Sequence, residues 1–285
     1  MAELGSVKEY PVLMVLDPEV PRDDWVEIRT VLESAFKSVT PVKALINTSV
    51  DVGWPAGPNA MFRAAASAAL MFPNEPWYFF EPDNTPMGPG WLDRLAEAYA
   101  KCGKPCMGVL QQSWRLLQPT NERIPAGKHL VGTAVYPTDL RALSLSFLGC
   151  VDPSNGRVIA FDVAMQGDLV DGQHAAHTNL IQHNWLTQNY RRDKDGVMVC
   201  DAREGRLVGQ LGFSLPHPVN ETIAVVHGCK DLTLLRLLRA ERNAVASPTP
   251  VLKAAVPAPA PTTPAVPKVP KRRFTPSNRK PQLTT

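Results

Sequence analysis

Two carboxylates one residue apart, Glu81 and Asp83, close the apolar run Trp77-Tyr78-Phe79-Phe80, with Pro82 between them. In an extended chain residues two apart point the same way, so both acids can reach one ligand. Pro82 removes a backbone donor and fixes φ, which ends strand pairing and stiffens the pair. Two acids on a rigid strand end suit a hard divalent cation, Mn²⁺ or Mg²⁺, holding a diphosphate. The plain alternative is a capped strand whose acids are merely solvated.

Other groups are weighed in the same way. Asp17 ends the apolar run "YPVLMVLD" (10–17) and reads either as a nucleotide contact, at base or ribose, or as a solvated turn acid. The segment "GQHAAHTNLIQHNW" holds His174, His177 and His183. Its first two histidines fall on one face of an expected helix around His174–Trp185, as a zinc pair would, but no third ligand accompanies them. Polar residues of an acceptor site, or plain surface histidines, are the alternatives. The five cysteines are odd in number and scattered, which fits a reducing cytoplasm better than a disulfide framework. Cys102 and Cys106 are too far apart for a CxxC pair. No GxxxxGK[ST] loop or GxSxG elbow occurs, which argues against P-loop and α/β-hydrolase chemistry.

The elements that must position these groups alternate. Apolar runs at 10–17, 41–49, 76–83 and 104–112 read as strands. Between them, 22–36 places Trp25, Ile28, Val31, Leu32 and Phe36 at helical spacing, 57–72 is an Ala-rich helix, and 90–103 is a helix stopped by Gly103. Strands alternating with helices predict an α/β fold with a mostly parallel sheet and helices on both faces. In such sheets ligands sit beyond the carboxyl ends of the strands, where Asp17, Glu81 and Asp83 fall. After residue 113 the alternation weakens.

The 285 residues, 44% of them hydrophobic, are enough for one large domain, expected over 1–246. The tail, 247–285, is rich in Pro, Ala, Thr and Lys, lacks apolar periodicity and is expected to be disordered. Seven of the 30 Lys and Arg lie there with no acid, leaving 23 basic against 27 acidic residues in the body. The positive charge therefore belongs to the tail, which suits either a polyanion tether or a solubilising extension. No run of about 18 apolar residues reads as a membrane span, and the N-terminus has no apolar signal core.

With these residues in order, the chain resembles the nucleotide-sugar glycosyltransferases of the GT-A type over roughly residues 11 to 231. In that family a hydrophobic strand ends in an Asp-x-Asp-like motif; here it is Glu81-Pro82-Asp83, followed by "TPMGPGWLDRL". The segment "GWPAGPNAMFRAA" is similar to the one whose helix-opening Asn contacts the nucleoside, which would be Asn59. The late "VVHGCKD" is similar to a His-Gly-x-Lys element, in which His227 would complete the metal site and Lys230 would touch the diphosphate. The first acid departs from the pattern by one methylene. The resemblance therefore gives Asp83 and His227 as the Mn²⁺ or Mg²⁺ ligands and leaves Glu81 to bind ribose or act through water.

The resemblance further implies a UDP-sugar donor, most simply UDP-glucose, bound by a nucleotide half (1–112), and an acceptor half (113–246). Gly132, in "GTAVYPTDL" after His129, would allow close backbone approach by sugar or acceptor. Asp162 would deprotonate the acceptor hydroxyl in an inverting enzyme; it is otherwise an orienting or structural acid. Enzymes of this compact form occur among viruses, phages included, where some glycosylate hydroxymethylated pyrimidines in DNA, and the basic tail suits a DNA acceptor in a host cytoplasm. A non-catalytic α/β binding protein with a polyanion-tethering tail and a nucleotidyltransferase are the competing readings.

Overall fold

The computed structural model describes residues 7–45, 51, 53–117, 122–140, 150, 158–202 and 217–246. The expected tail and residues 46–49 of the second expected strand lie outside them. Strand β1 (Val7–Leu16), helix α1 (Arg22–Ala35) and strand β2 (Phe36–Lys43) form a β-α-β unit, its strands parallel with Val12 opposite Val39 and Leu16 opposite Lys43. A parallel pair needs a crossover of this length, and α1 supplies it. The expected apolar face of α1 is only partly covered: Trp25 and Leu32 are half-buried, whereas Ile28 and Val31 are each 52% exposed. Phe36 opens β2 instead of closing the helix.

Helix α2 (Ala56–Ala69) buries five alanines and Phe62 against its neighbours, because small side chains let the helix lie close. Next come β3 (Trp77–Tyr78), β4 (Thr85–Pro86) and α3 (Trp91–Cys102). Gly90 and Gly103 bound α3 at φ of +67° and +65°, a conformation that costs glycine nothing. Strands β5 (Cys106–Leu117) and β6 (Glu122–Tyr136) pair antiparallel. A single-turn α4 (Phe161–Ala164) and a π-helical turn (Gly167–Asp171) follow. The rest is β7 (Ala175–His177), β8 (Ile181–Arg192), β9 (Met198–Ala202), β10 (His217–Pro218), β11 (Val225–Cys229) and α5 (Thr233–Ala246).

The chain is α/β, but its sheets are mixed rather than mostly parallel. Their orders are β1-β2, β3-β6-β5-β7 and β10-β9-β8-β11-β4. The pairs β1/β2, β5/β7 and β8/β11 are parallel; β3/β6, β5/β6, β8/β9, β9/β10 and β4/β11 are antiparallel. Residues 118–121 and 193–197 are too few for a crossover, so β5 to β6 and β8 to β9 can only turn back. The helix expected around His174–Trp185 is instead β7 and the start of β8. With Thr178 N–H bonded to Gly108 O and Leu180 N–H to the Thr178 hydroxyl, the chain turns between two strands.

The aromatic run sits on a sheet edge, pairing antiparallel with β6, and packs against aromatic side chains on both faces. Trp77 and Phe79 join Phe62, Tyr136 and Phe161 on one side. Tyr78 and Phe80 meet Trp91 on the other. Strand β6 divides likewise, with Ala134 and Tyr136 in the first cluster and Val135 in the second. A third cluster, around Tyr190, Met198, Val226 and Leu234, fills the space between the five-stranded sheet and α5. Among the described residues no helix is long and apolar enough to cross a membrane.

Candidate metal centre

Glu81 and Asp83 are brought together by a turn, not by an extended strand end. Asn84 N–H donates to Glu81 O at 3.0 Å across Pro82, which occupies the turn position its fixed φ suits. The chain then runs antiparallel beside β11, with Thr85 opposite Val226 and Pro86 opposite Val225, and Cys229 N–H donates to Asp83 O at 3.0 Å. That pairing carries His227 and Lys230 to the acids, although Lys230 follows Asp83 by 147 residues.

His227 Nε2 lies 3.4 Å from Asp83 Oδ1 and 3.7 Å from Glu81 Oε2, and one donor atom from each of the three residues falls within 4.8 Å of the others. Glu81 therefore belongs to the donor set, where the extra methylene argued for a place outside it. The cause is Thr133, whose hydroxyl donates to Glu81 Oε1 at 3.1 Å and receives the Asn84 amide at 3.3 Å. Thr133 reaches Glu81 from a bulge: Gly108 and Leu110 of β5 face Ala134 and Leu130 of β6, so the residues between are displaced from regular pairing.

The second oxygen of Asp83 is held by the Lys230 ammonium. Burial alone would push the Asp83 carboxyl up, but His227 and Lys230 beside it outweigh that and hold it at about 2. Burial would likewise push His227 down, yet Asp83 and Glu81 raise it to about 9. Asp83 Oδ1 is buried and faces His227 without hydrogen-bond geometry, and it has no donor among the described residues. Such an orphaned oxygen costs free energy unless something satisfies it. Ligands about 2.1 Å from a shared cation lie roughly 3.0–3.5 Å apart, so the two His227 spacings, 3.4 and 3.7 Å, lie within that range or close to it. Glu81, Asp83 and His227 can hold a divalent cation and leave positions for water or substrate.

Behind His227 stands His183, half-buried on β8. The two are register partners in the parallel β8/β11 pair, and their Nδ1 atoms are 2.9 Å apart. Burial, then the charge on His227, keeps His183 well below its ordinary value.

Asp162 follows Phe161 in the single turn of α4, and its Oδ1 accepts from Val163 N–H at 2.9 Å. Its Oδ2 is 3.8 Å from His129 Nε2. Burial raises the Asp162 carboxyl against the lowering effect of His129, and Glu81 adds to the rise, so Asp162 shares the electrostatic field of the centre. Gly132 lies between them. A Cβ there would sit 2.6 Å from Phe161 Cζ and 3.3 Å from Glu81 Oε1, so the missing side chain makes room for two protein groups. Asn59 is buried with its amide committed to backbone, donating to Ile159 O and accepting from Phe161 N–H, both at 2.8 Å. It anchors the approach to Asp162.

Asp17 caps a turn, accepting from Glu19 N–H at 2.9 Å. It borders a cavity of about 410 Å³ at the carboxyl ends of β1 and β2, together with Val20, Arg22, Trp25 and Lys43. The His174/His177 zinc pair does not form: His177 Nδ1 accepts from Leu110 N–H at 3.1 Å and Nε2 meets Asn179 Oδ1 at 3.0 Å. None of the five cysteines is in a disulfide. Thr133 and Asn84 were not singled out by sequence; their one signal is adjacency to Gly132 and Asp83. Comparison of the chain with family profiles, curated proteins and solved structures returns no match.

Proposed function

We propose that this chain is a divalent-cation-dependent glycosyltransferase of the GT-A type, moving a sugar from a UDP-sugar to a hydroxyl acceptor. One observation carries the reading. Glu81 from the turn and the His227 imidazole from β11 converge on one side of Asp83, whose facing oxygen lacks a donor among the described residues, while Lys230 holds the other oxygen. A donor set of two carboxylates and one imidazole favours Mn²⁺ over Mg²⁺, because imidazole is a softer ligand than Mg²⁺ prefers. When bound, the cation supplies Lewis acidity toward the departing diphosphate.

The chain's own groups supply the rest. Glu81, Asp83 and His227 hold the cation, and Lys230, an ammonium already at the centre, counters the charge of the diphosphate. The cavity beside Asp17 offers Trp25 as a stacking face and Arg22 and Lys43 as cations for the nucleotide. Asp162, raised by burial, takes the proton of the acceptor hydroxyl. The proposed acceptor is a hydroxymethylpyrimidine of DNA, drawn in by the basic tail and flipped out of the stack.

The test is a thermal melt with UDP and Mn²⁺ together with transfer from labelled UDP-glucose to hydroxymethylpyrimidine DNA. At a hundredfold excess over Kd, ligand binding stabilises by about 2.7 kcal/mol. Asp83→Ala is expected to stay folded and lose both the shift and the transfer. Full metal-dependent activity in that variant rejects the centre, label on another acceptor rejects only the DNA reading, and release of glucose 1-phosphate with UMP left on the acceptor marks nucleotidyl transfer instead.

A further inference from the structure

We propose that His183 is the positioning residue of the centre: its Nδ1 accepts the Nδ1 proton of His227 and so reserves the His227 Nε2 lone pair for the cation. This role rests on the cation reading above and adds a residue that touches neither cation nor substrate.

The argument is one of proton count. Two ring nitrogens 2.9 Å apart share one proton. With none between them two lone pairs face each other, and with two the hydrogens collide. If His183 supplies the proton, the Nδ1 of His227 is an acceptor, so neutral His227 carries its hydrogen on Nε2. That hydrogen would then point toward Asp83 and Glu81, where a cation must bind, and the site is closed. If His227 supplies the proton, Nε2 of neutral His227 is a bare lone pair 3.4 Å from Asp83 Oδ1 and 3.7 Å from Glu81 Oε2. Only the second arrangement lets all three residues ligate. Metal-bound imidazoles generally have their other nitrogen anchored in this way, and removing such an anchor typically costs 10–100-fold in affinity.

The fold fixes the pair. His183 and His227 are opposite one another in parallel strands, and β8 is paired on its other edge by β9. Their ring centroids are 4.7 Å apart, tilted by 43°. Asparagine at 183 would keep an acceptor at the δ position, glutamine would move it one methylene outward, and leucine would remove it.

The experiment is a Mn²⁺ titration of the full chain, followed by electron spin-echo detection of ¹⁴N coupling to bound Mn²⁺. The wild-type protein is expected to show imidazole coupling. His183→Leu is expected to bind about 10–100-fold more weakly and to lose or weaken that coupling at saturating Mn²⁺. His183→Asn should restore most of both, and His183→Gln should not. If the leucine variant fails to fold, the asparagine–glutamine comparison decides, and equal affinity and coupling in those two overturn the role. Wild-type affinity and coupling in a folded His183→Leu overturn it while leaving the metal centre standing. A wild-type protein that binds no Mn²⁺ removes both.

Discussion

Thr133 does for Glu81 what Lys230 does for Asp83: each fixes one carboxylate oxygen and leaves the other facing His227. Thr133→Val keeps the shape and removes the hydroxyl, so Glu81 loses its anchor. Cation affinity, read by titration, should fall about tenfold or more, and urea unfolding should report a loss of about 1 kcal/mol. Asn59 separates fold from chemistry. Asn59→Ala leaves Ile159 O and Phe161 N–H buried without partners, an expected cost of about 2–4 kcal/mol in urea unfolding, with cation affinity changed little because the residue contacts none of the ligands. At this scale Glu81 and Asp83 were legible because the chemistry of an acid pair is local. Asn59 was legible only as a helix-opening Asn; its actual partners lie about a hundred positions away, beyond what spacing can show.

The helices up to residue 103 were legible and sheet neighbours were not. The termini of α3 follow from Gly90 and Gly103, and the small face of α2 from its alanines, because both depend on residues within a turn or two. Strand partners are chosen by connection length and by distant apolar faces, so the run at Trp77 read as a strand without its neighbours and proved to be an edge strand against β6. The helix read across His174–Trp185 failed for a related reason: a short apolar segment fits a period of 3.6 or of 2, and pairing with β5 and β11 selected the strand. The bulge in β6 was invisible for the same cause, yet it is what aims Thr133. Gly132 tests it. A methyl at 132 collides with Phe161, whose ring is stacked on Phe62, and crowds Glu81. Gly132→Ala should cost about 1–3 kcal/mol in urea unfolding and weaken cation binding as well. Unchanged stability would mean that Phe161 has room to move.

The centre exists only because late strands return to early ones, and that return depends on α5. Asp231 caps the helix, accepting from Thr233 N–H at 3.1 Å and from Asn189 N–H at 3.0 Å, so one carboxylate joins α5 to β8. Arg192 of β8 grips Glu241 of α5 at 2.7 Å and also Glu221. Burial would raise the Asp231 carboxyl, but its bonds to Thr233 and Asn189 outweigh that and hold it below its ordinary range; the Arg192 guanidinium lowers Glu221. A carboxyl whose folded value is depressed stabilises the fold fully above its unfolded value, about 3.9 for Asp and 4.3 for Glu, and that stability is lost as pH falls through the folded value. The share of the urea midpoint owed to Asp231 and Glu221 should therefore hold steady from neutrality to about pH 5 and be lost below about pH 4. Added salt should shrink the exposed Glu221 share and spare the Asp231 share, since screening acts on solvated charges more than on hydrogen bonds. Asp231→Ala removes the cap, an expected cost of about 1 kcal/mol at neutral pH, and should flatten the acid limb. A variant that keeps the wild-type slope below pH 4 would place the acid-sensitive carboxylates elsewhere and free α5 from its role in holding β8, and with it His183, against β11.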